Sequence, residues 1–107
     1  MASLRVTAQI KWLSPETGGR QFIPQGNEYA APARFEGRND WTQSAYSLAL
    51  RTTSGENFQL EDEVDAGFLV PHAPVDWLVP GARFSLYEGK RRVLEGVVVG
   101  PRTDEPD

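Results

Sequence analysis

Residues that could support catalysis are few in this sequence and do not form a familiar catalytic pattern. The only histidine is His72, in the stretch VPHAP, and the chain contains no cysteine. Nucleophilic catalysis needs a base beside the nucleophile, and no serine stands in the G-x-S-x-G pattern that exposes one. We therefore interpret His72 as a loop histidine and expect a protein that is not an enzyme. A small hydrolase that pairs His72 with a serine or an acid is the alternative.

An acidic run at residues 61–65, EDEVD, is the second group with chemical potential. On a strand Glu61, Glu63 and Asp65 project from one face, where their oxygens could coordinate a hard cation. The same face could instead meet water and protect the edge of a sheet, and this interpretation is preferred, so we expect no metal. No G-x-x-x-x-G-K-[ST] loop is present to hold a triphosphate, so we also expect no nucleotide and no other cofactor.

A basic segment near the C-terminus is the third group. Glu88, Gly89, Lys90 and Arg91 lie between two runs of alternating apolar residues in PGARFSLYEGKRRVLEGVVVG. Glycine accepts the positive φ that a two-residue hairpin turn demands, so this segment predicts the closing hairpin of a β domain. The hairpin is interpreted first as structural and second as a surface that holds a partner.

Size and composition indicate one domain. The 107 residues can bury a core without disulfides or metals. The net charge is −4. The last seven residues, PRTDEPD, contain three acids and one arginine and so contribute −2 of this, leaving −2 for the rest. Residues 1–100 are predicted to form the domain and residues 101–107 a disordered acidic tail. A body this close to neutral does not favour binding driven by phosphate charge.

The apolar runs are short throughout. None approaches the roughly 20 residues of a membrane-spanning helix, and the N-terminus lacks the apolar core of a signal peptide. The sequence therefore predicts a soluble, cytoplasmic protein with no membrane partner.

Hydropathy alternates with a period of two along most of the chain, as it does in strands with one buried face. In the first run, Leu4, Val6, Ala8, Ile10 and Trp12 share the face that is predicted to be buried. The predicted buried faces of two later runs carry Tyr46, Leu48 and Leu50 in one and Phe84 and Leu86 in the other. Residues 92–99 alternate less cleanly, residues 21–35 contain two prolines, Pro24 and Pro32, that argue against a central strand, and Trp77 is predicted to be exposed. Short strands between turn signals indicate an all-β barrel or sandwich.

Motifs at both ends of the chain resemble the C-terminal β-barrel (domain III) of translation elongation factor Tu. Its opening pattern matches WLSPETGGR at residues 12–20, followed by Tyr29, Pro32 and Phe35. Its closing pattern matches His72, Gly81, Arg83-Phe84, Glu88-Gly89, Arg91 and Gly96-Val97-Val98. The resemblance extends over nearly the whole chain, with a divergent middle.

The resemblance implies a small closed six-stranded antiparallel barrel with Greek-key-like connections. In that family the barrel follows a GTPase domain and a second barrel, and it helps to bind aminoacyl-tRNA and a nucleotide exchange factor. Carried over to this sequence, the implied partner-binding positions are Gly18, Gly19, Arg20, His72, Glu88, Gly89, Lys90 and Arg91.

The sequence also departs from the family pattern. It contains neither the GTPase domain nor the second barrel, and a contact strand that reads Pro-Gln-Phe in the family reads Pro32-Ala33-Arg34-Phe35 here. We therefore expect a stand-alone, non-catalytic module that binds a protein partner and is linked to translation. Binding of RNA or tRNA through residues 88–92 and the His72 loop is the alternative.

Overall fold

Seven β-strands make up the computed structural model, which describes residues 3–13, 23–37, 46–69, 77–100 and 103–105. In chain order they are β1 (Ser3–Trp12), β2 (Glu28–Phe35), β3 (Tyr46–Thr52), β4 (Glu61–Phe68), β5 (Arg83–Glu88), β6 (Arg91–Val98) and β7 (Thr103–Glu105). The described residues contain no α-helix, and so none with the length and apolar character needed to cross a membrane.

Six of these strands close into an antiparallel barrel, which confirms the predicted fold class. The hydrogen-bonded order is β4-β3-β2-β5-β6-β1, and a further pairing of β1 with β4 closes the cylinder. Strands β2, β3 and β4 follow one another as neighbours, and β5 then crosses over to lie beside β2. This order is a Greek key. Closure satisfies both edges of the sheet, which would otherwise expose unpaired backbone groups.

Alternating side chains fill the barrel as their spacing predicts. Val6, Ala8, Ile10 and Trp12 are all buried on β1, while the side chain of Leu4 lies outside the described residues. The predicted inward faces of β3 and β5 are likewise confirmed, with Leu48, Leu50, Phe84 and Leu86 all buried and Tyr46 half-buried.

A β-bulge explains why β6 alternates less cleanly in sequence. Leu86 pairs with Leu94, but the next residue, Tyr87, pairs with Arg92, so Val93 is an extra residue on β6. Val93 and Leu94 are consecutive and both fully buried. A bulge places two successive side chains opposite one partner residue, and this is how two neighbours enter the same core.

Pro32 lies inside a paired strand, and the expectation that the prolines of this region exclude a central strand is wrong. Pro32 pairs with Ser47 of β3, whereas β5 pairs with β2 only at residues 33–35. Backbone groups of even-numbered β2 residues point toward β5, since the amide of Glu36 donates to the carbonyl of Arg83. The missing amide proton of Pro32 therefore falls where the β2–β5 pairing has already ended, and no ladder bond is lost.

Aromatic clusters occupy two regions of the barrel. Trp12 makes edge-on contacts with Tyr29 and Phe58, with ring centroids 5.2 and 5.3 Å away. Trp77 is half-buried against Phe35 and Tyr46, at 5.6 and 6.1 Å, so its predicted exposure is wrong. These rings gain hydrophobic burial that exposure to water would forfeit.

The C-terminal segment contributes the seventh strand. Thr103–Glu105 pairs antiparallel with the start of β1, with Arg5 opposite Thr103 and Ser3 opposite Glu105. This strand lies within residues 101–107, the segment predicted to be a disordered tail. The domain boundary at residue 100 stays a prediction.

Candidate functional site

The β5–β6 hairpin carries the predicted partner-binding residues that the structure describes. Glu88 pairs with Arg91, so Gly89 and Lys90 form a two-residue turn between the strands. Gly89 has a φ of +64° and Lys90 has no positive φ, as in a type II′ turn, which places glycine at the first central position. The prediction of a tight turn with glycine at a positive φ is confirmed.

Replacement of Gly89 by valine is expected to lower the free energy of unfolding by about 1–2 kcal/mol, because a β-branched residue resists the left-handed conformation. A Cβ at this position meets no atom within 4 Å, so no clash of the Cβ adds to the backbone strain. Urea unfolding followed by circular dichroism measures the effect. Gly89→Asn is the matched control, since asparagine tolerates this conformation, and equal losses for the two variants would contradict the turn geometry.

Two side-chain contacts at the end of β5 hold the hairpin against β2. The hydroxyl of Tyr29 donates a hydrogen bond to the carboxylate of Glu88. One residue earlier, the guanidinium of Arg34 stacks over the ring of Tyr87, with its central carbon 4.4 Å from the ring centroid. Both contacts reach from β2 to the end of β5, beyond the last backbone pair between these strands. They orient the hairpin where no ladder bonds do.

Three consecutive cations follow the turn glycine. Lys90, Arg91 and Arg92 are all exposed, and none of them forms an ion pair within the part of the chain that the structure describes. Exposed cations without intramolecular partners produce a local positive potential on a chain whose net charge is −4. The hairpin therefore presents a cationic tip on a well-positioned support.

A groove of about 490 Å³ runs over the outer surface of β2, β5, β6 and β1, beside the base of this hairpin. Its cations are Lys11, Arg34, Arg83 and Arg92, and its carboxylates are Glu36, Glu61 and Glu95. Strand register places one row of these residues side by side: Glu61 beside Lys11, Lys11 beside Glu95, Glu95 beside Ser85, and Ser85 beside Arg34. The volume lies in the range of ligand-binding clefts.

Several groove residues were not singled out as site residues by sequence reasoning. Lys11, Arg34 and Arg83 lie on three different strands, each at an outward position of its own alternation. Their outward phase is readable from sequence, but their proximity depends on which strands pair. Only the barrel order brings Lys11 and Arg34 to one face.

The acidic strand β4 does not form a metal site in the described residues. Glu61 and Glu63 are exposed and Asp65 is half-buried, and no group of three potential ligands in the described chain is placed to hold a metal ion. The exposure of Glu61 and Glu63 confirms the predicted solvated face. Strand β4 pairs with β1 on one side and β3 on the other, so the further expectation that these acids protect a sheet edge is wrong. Glu63 instead accepts a hydrogen bond of 3.0 Å from the hydroxyl of Thr53.

Four of the predicted partner-binding residues, Gly18, Gly19, Arg20 and His72, lie outside the described residues. Their roles stay predictions. Among the eight predicted positions, the structure therefore brings together Glu88, Gly89, Lys90 and Arg91, which are adjacent in sequence and form one hairpin end.

Comparison with known proteins leaves the function to be argued from this geometry. No protein-family model matches the sequence, and no curated protein is significantly similar to it.

Proposed function

We propose that this chain is a non-catalytic binding module that contacts an acidic surface of a protein partner through the tip of the β5–β6 hairpin. The observation that supports this proposal is the run of three exposed cations, Lys90, Arg91 and Arg92, without ion pairs among the described residues. Charge complementarity between two surfaces speeds association and selects among partners.

The support of the hairpin also favours a binding role. Long cationic side chains lose conformational freedom when they bind, and a fixed backbone limits the further entropy that is lost. Tyr29 holds Glu88 and Arg34 packs on Tyr87, so the last two residues of the strand that leads into the turn are both held beyond its last backbone pair with β2. The turn itself contains only two residues, so it has little conformational freedom of its own.

The resemblance to the C-terminal barrel of elongation factor Tu supports a link of this module to translation. A closed six-stranded antiparallel barrel is the fold that the resemblance implies, and this chain has it. Common ancestry, a cytoplasmic location and a translation-linked partner remain proposals that rest on the motifs quoted above. His72 lies outside the described residues, so the alternative of a hydrolase built on it stays a prediction.

Reversal of charge at the hairpin tip is the direct test. We expect the double variant Lys90→Glu and Arg91→Glu to lose the partner that the native chain captures from its host lysate, with at least a tenfold drop in recovered protein measured by quantitative mass spectrometry. Arg51→Glu combined with Arg5→Glu is the matched control, because it changes net charge equally on β3 and β1, at residues that line neither the hairpin tip nor the groove. Equal recovery by the hairpin variant and the native chain would contradict the proposal.

RNA binding is the second candidate, and the same three cations favour it. A phosphate interface loses affinity steeply as salt rises, because bound counterions are released on association. An electrophoretic shift assay with a tRNA mixture separates the two candidates. It is run at about 50 mM and about 200 mM salt, a range over which a phosphate interface loses most of its affinity. A salt-sensitive shift that is lost in the hairpin variant would show that the hairpin binds RNA rather than a protein partner.

A further inference from the structure

The groove beside the hairpin shares Arg92 with the proposed hairpin contact and adds two cations that this contact does not use, Lys11 and Arg83. Lys11, Arg83 and Arg92 are exposed and line the groove, and within the described residues none of them makes an ion pair. Lys11 stays without one although its cross-strand neighbours are Glu61 and Glu95. Cations in a concave surface focus their field on the space that they enclose.

From this we infer that the groove binds a short, extended, carboxylate-bearing segment of the partner protein. The inference rests on the proposed function for the existence of a protein partner, and it adds a second contact with its own chemistry. Arg92 belongs to the groove and directly follows the hairpin cations Lys90 and Arg91. A partner that reaches the hairpin tip is therefore already adjacent to the groove.

The spacing of the cations suits an extended peptide that crosses the strands. Lys11 and Arg34 stand in one cross-strand row on β1 and β2, with β6 and β5 between them. Three strand spacings separate them by about 14 Å, and an extended chain rises about 3.4 Å per residue, so acidic residues four positions apart match the two cations. Residues i and i+4 of an extended chain also project from the same side.

The floor of the groove can accept the backbone of such a segment. Gln9, Ser85 and Val97 lie between the charged residues of the groove, on β1, β5 and β6. A side-chain amide and a hydroxyl can donate hydrogen bonds to peptide carbonyls, and Val97 offers apolar contact. A mixed polar and apolar floor inside a charged rim resembles the core and rim of protein interfaces.

The carboxylates of the groove favour a peptide over a nucleic acid. Glu36, Glu61 and Glu95 share the surface with the four cations. A phosphate backbone carries a charge at every residue and meets these carboxylates wherever it crosses them. A peptide can carry acidic residues only at the positions that face the cations. The carboxylates of the groove repel a nucleic acid, which is charged at every residue.

Titration of the isotope-labelled full chain with the hexapeptide Glu-Ser-Ser-Ser-Glu-Ser, whose two acids stand four positions apart, tests the inference by amide chemical shifts in nuclear magnetic resonance spectra. We expect saturable shifts at Lys11, Ser85 and Arg92 and their strand neighbours. Arg83→Glu is expected to weaken binding by about tenfold, the loss of one good charged contact. Arg51→Glu, which makes the same charge change on β3, outside the groove, is expected to change binding by less than about twofold.

Each other outcome overturns the inference. Shifts scattered over the whole surface, or equal weakening by Arg83→Glu and Arg51→Glu, would show unspecific charge attraction. Tighter binding of hexathymidylate at the same amides would assign the groove to a phosphate ligand, and absence of groove shifts would remove the site. Arg92→Glu is the second variant, and the amide dispersion of both variants reports whether the barrel is folded.

The proposed hairpin contact is tested separately. Loss of partner capture by the Lys90 and Arg91 double variant, together with no binding of the hexapeptide, would support the hairpin proposal and reject the groove. Binding of the hexapeptide in the groove, together with normal capture by the hairpin variant, would support the groove and reject the hairpin contact.

Discussion

A valine at position 96 is expected to lower the free energy of unfolding by about 3 kcal/mol, the upper end for overpacking a well-filled core. Gly96 pairs with Phe84 across β5 and β6. A Cβ on Gly96 would lie 2.5 Å from Cζ of Phe84 and 2.9 Å from Cε2, closer than carbon atoms approach. The ring cannot retreat easily, because Phe84 is buried and packs against Phe35 with centroids 5.6 Å apart.

Thermal unfolding measures this loss. For a domain of this size, 3 kcal/mol corresponds to a fall in midpoint of roughly 15 °C. Ala49→Val is the matched control, since Ala49 is half-buried on β3, outside the buried core, and a surface substitution of this kind is worth at most about 0.5 kcal/mol. A midpoint for Gly96→Val close to that of the control would contradict the packing of Phe84 on Gly96.

Compensation gives an independent check of the same contact. Phe84→Leu makes room above position 96, so the double variant with Gly96→Ala should lose less stability than the two single variants added together. Residues in direct contact show coupling energies of about 0.5–3 kcal/mol, and distant residues do not. Simple additivity would show that the two residues do not touch.

Trp12→Ala is the second substitution with a large expected effect, a loss of about 3–5 kcal/mol. Trp12 is only 2% exposed and packs edge-on against Tyr29 and Phe58. Its removal leaves a cavity that joins β1, the start of β2 and the loop before β4. The loss is measured by urea unfolding followed by far-ultraviolet circular dichroism, which does not depend on the other two tryptophans.

Trp12→Phe should cost far less, about 1.5 kcal/mol or below, although it also removes volume. The indole Nε1 of Trp12 is buried and makes no hydrogen bond to any residue that the structure describes. A buried donor without a partner costs about 1–3 kcal/mol, and phenylalanine removes that penalty together with the donor. Equal losses for Trp12→Phe and Trp12→Ala would contradict a packing role for the aromatic ring.

Local pattern was sufficient to predict the strands and their buried faces. On β1 each second residue from Val6 to Trp12 is buried, because the side chains of a strand alternate between its two faces wherever the strand lies. The turn at Gly89 was equally local, since its positive φ is a property of two residues between paired strands. Both features need no knowledge of which strands become neighbours.

Other features of the fold were hidden because they depend on pairing. Pro32 reads as a strand breaker until the structure shows that β5 pairing ends at Ala33. Val93 and Leu94 break the alternation until the bulge opposite Leu86 and Tyr87 is known. Each local rule held, but its consequence was set by a partner strand that lies elsewhere in the sequence.

The candidate site divides in the same way. The cationic hairpin is contiguous in sequence, so the local order of residues was enough to predict that Lys90, Arg91 and Arg92 follow a turn. The groove was decided by tertiary structure, because Lys11 and Arg34 share it only when β6 and β5 lie between β1 and β2. Alternation determines which way a side chain points, whereas strand order and register determine what stands beside it, and binding surfaces are built from what stands side by side.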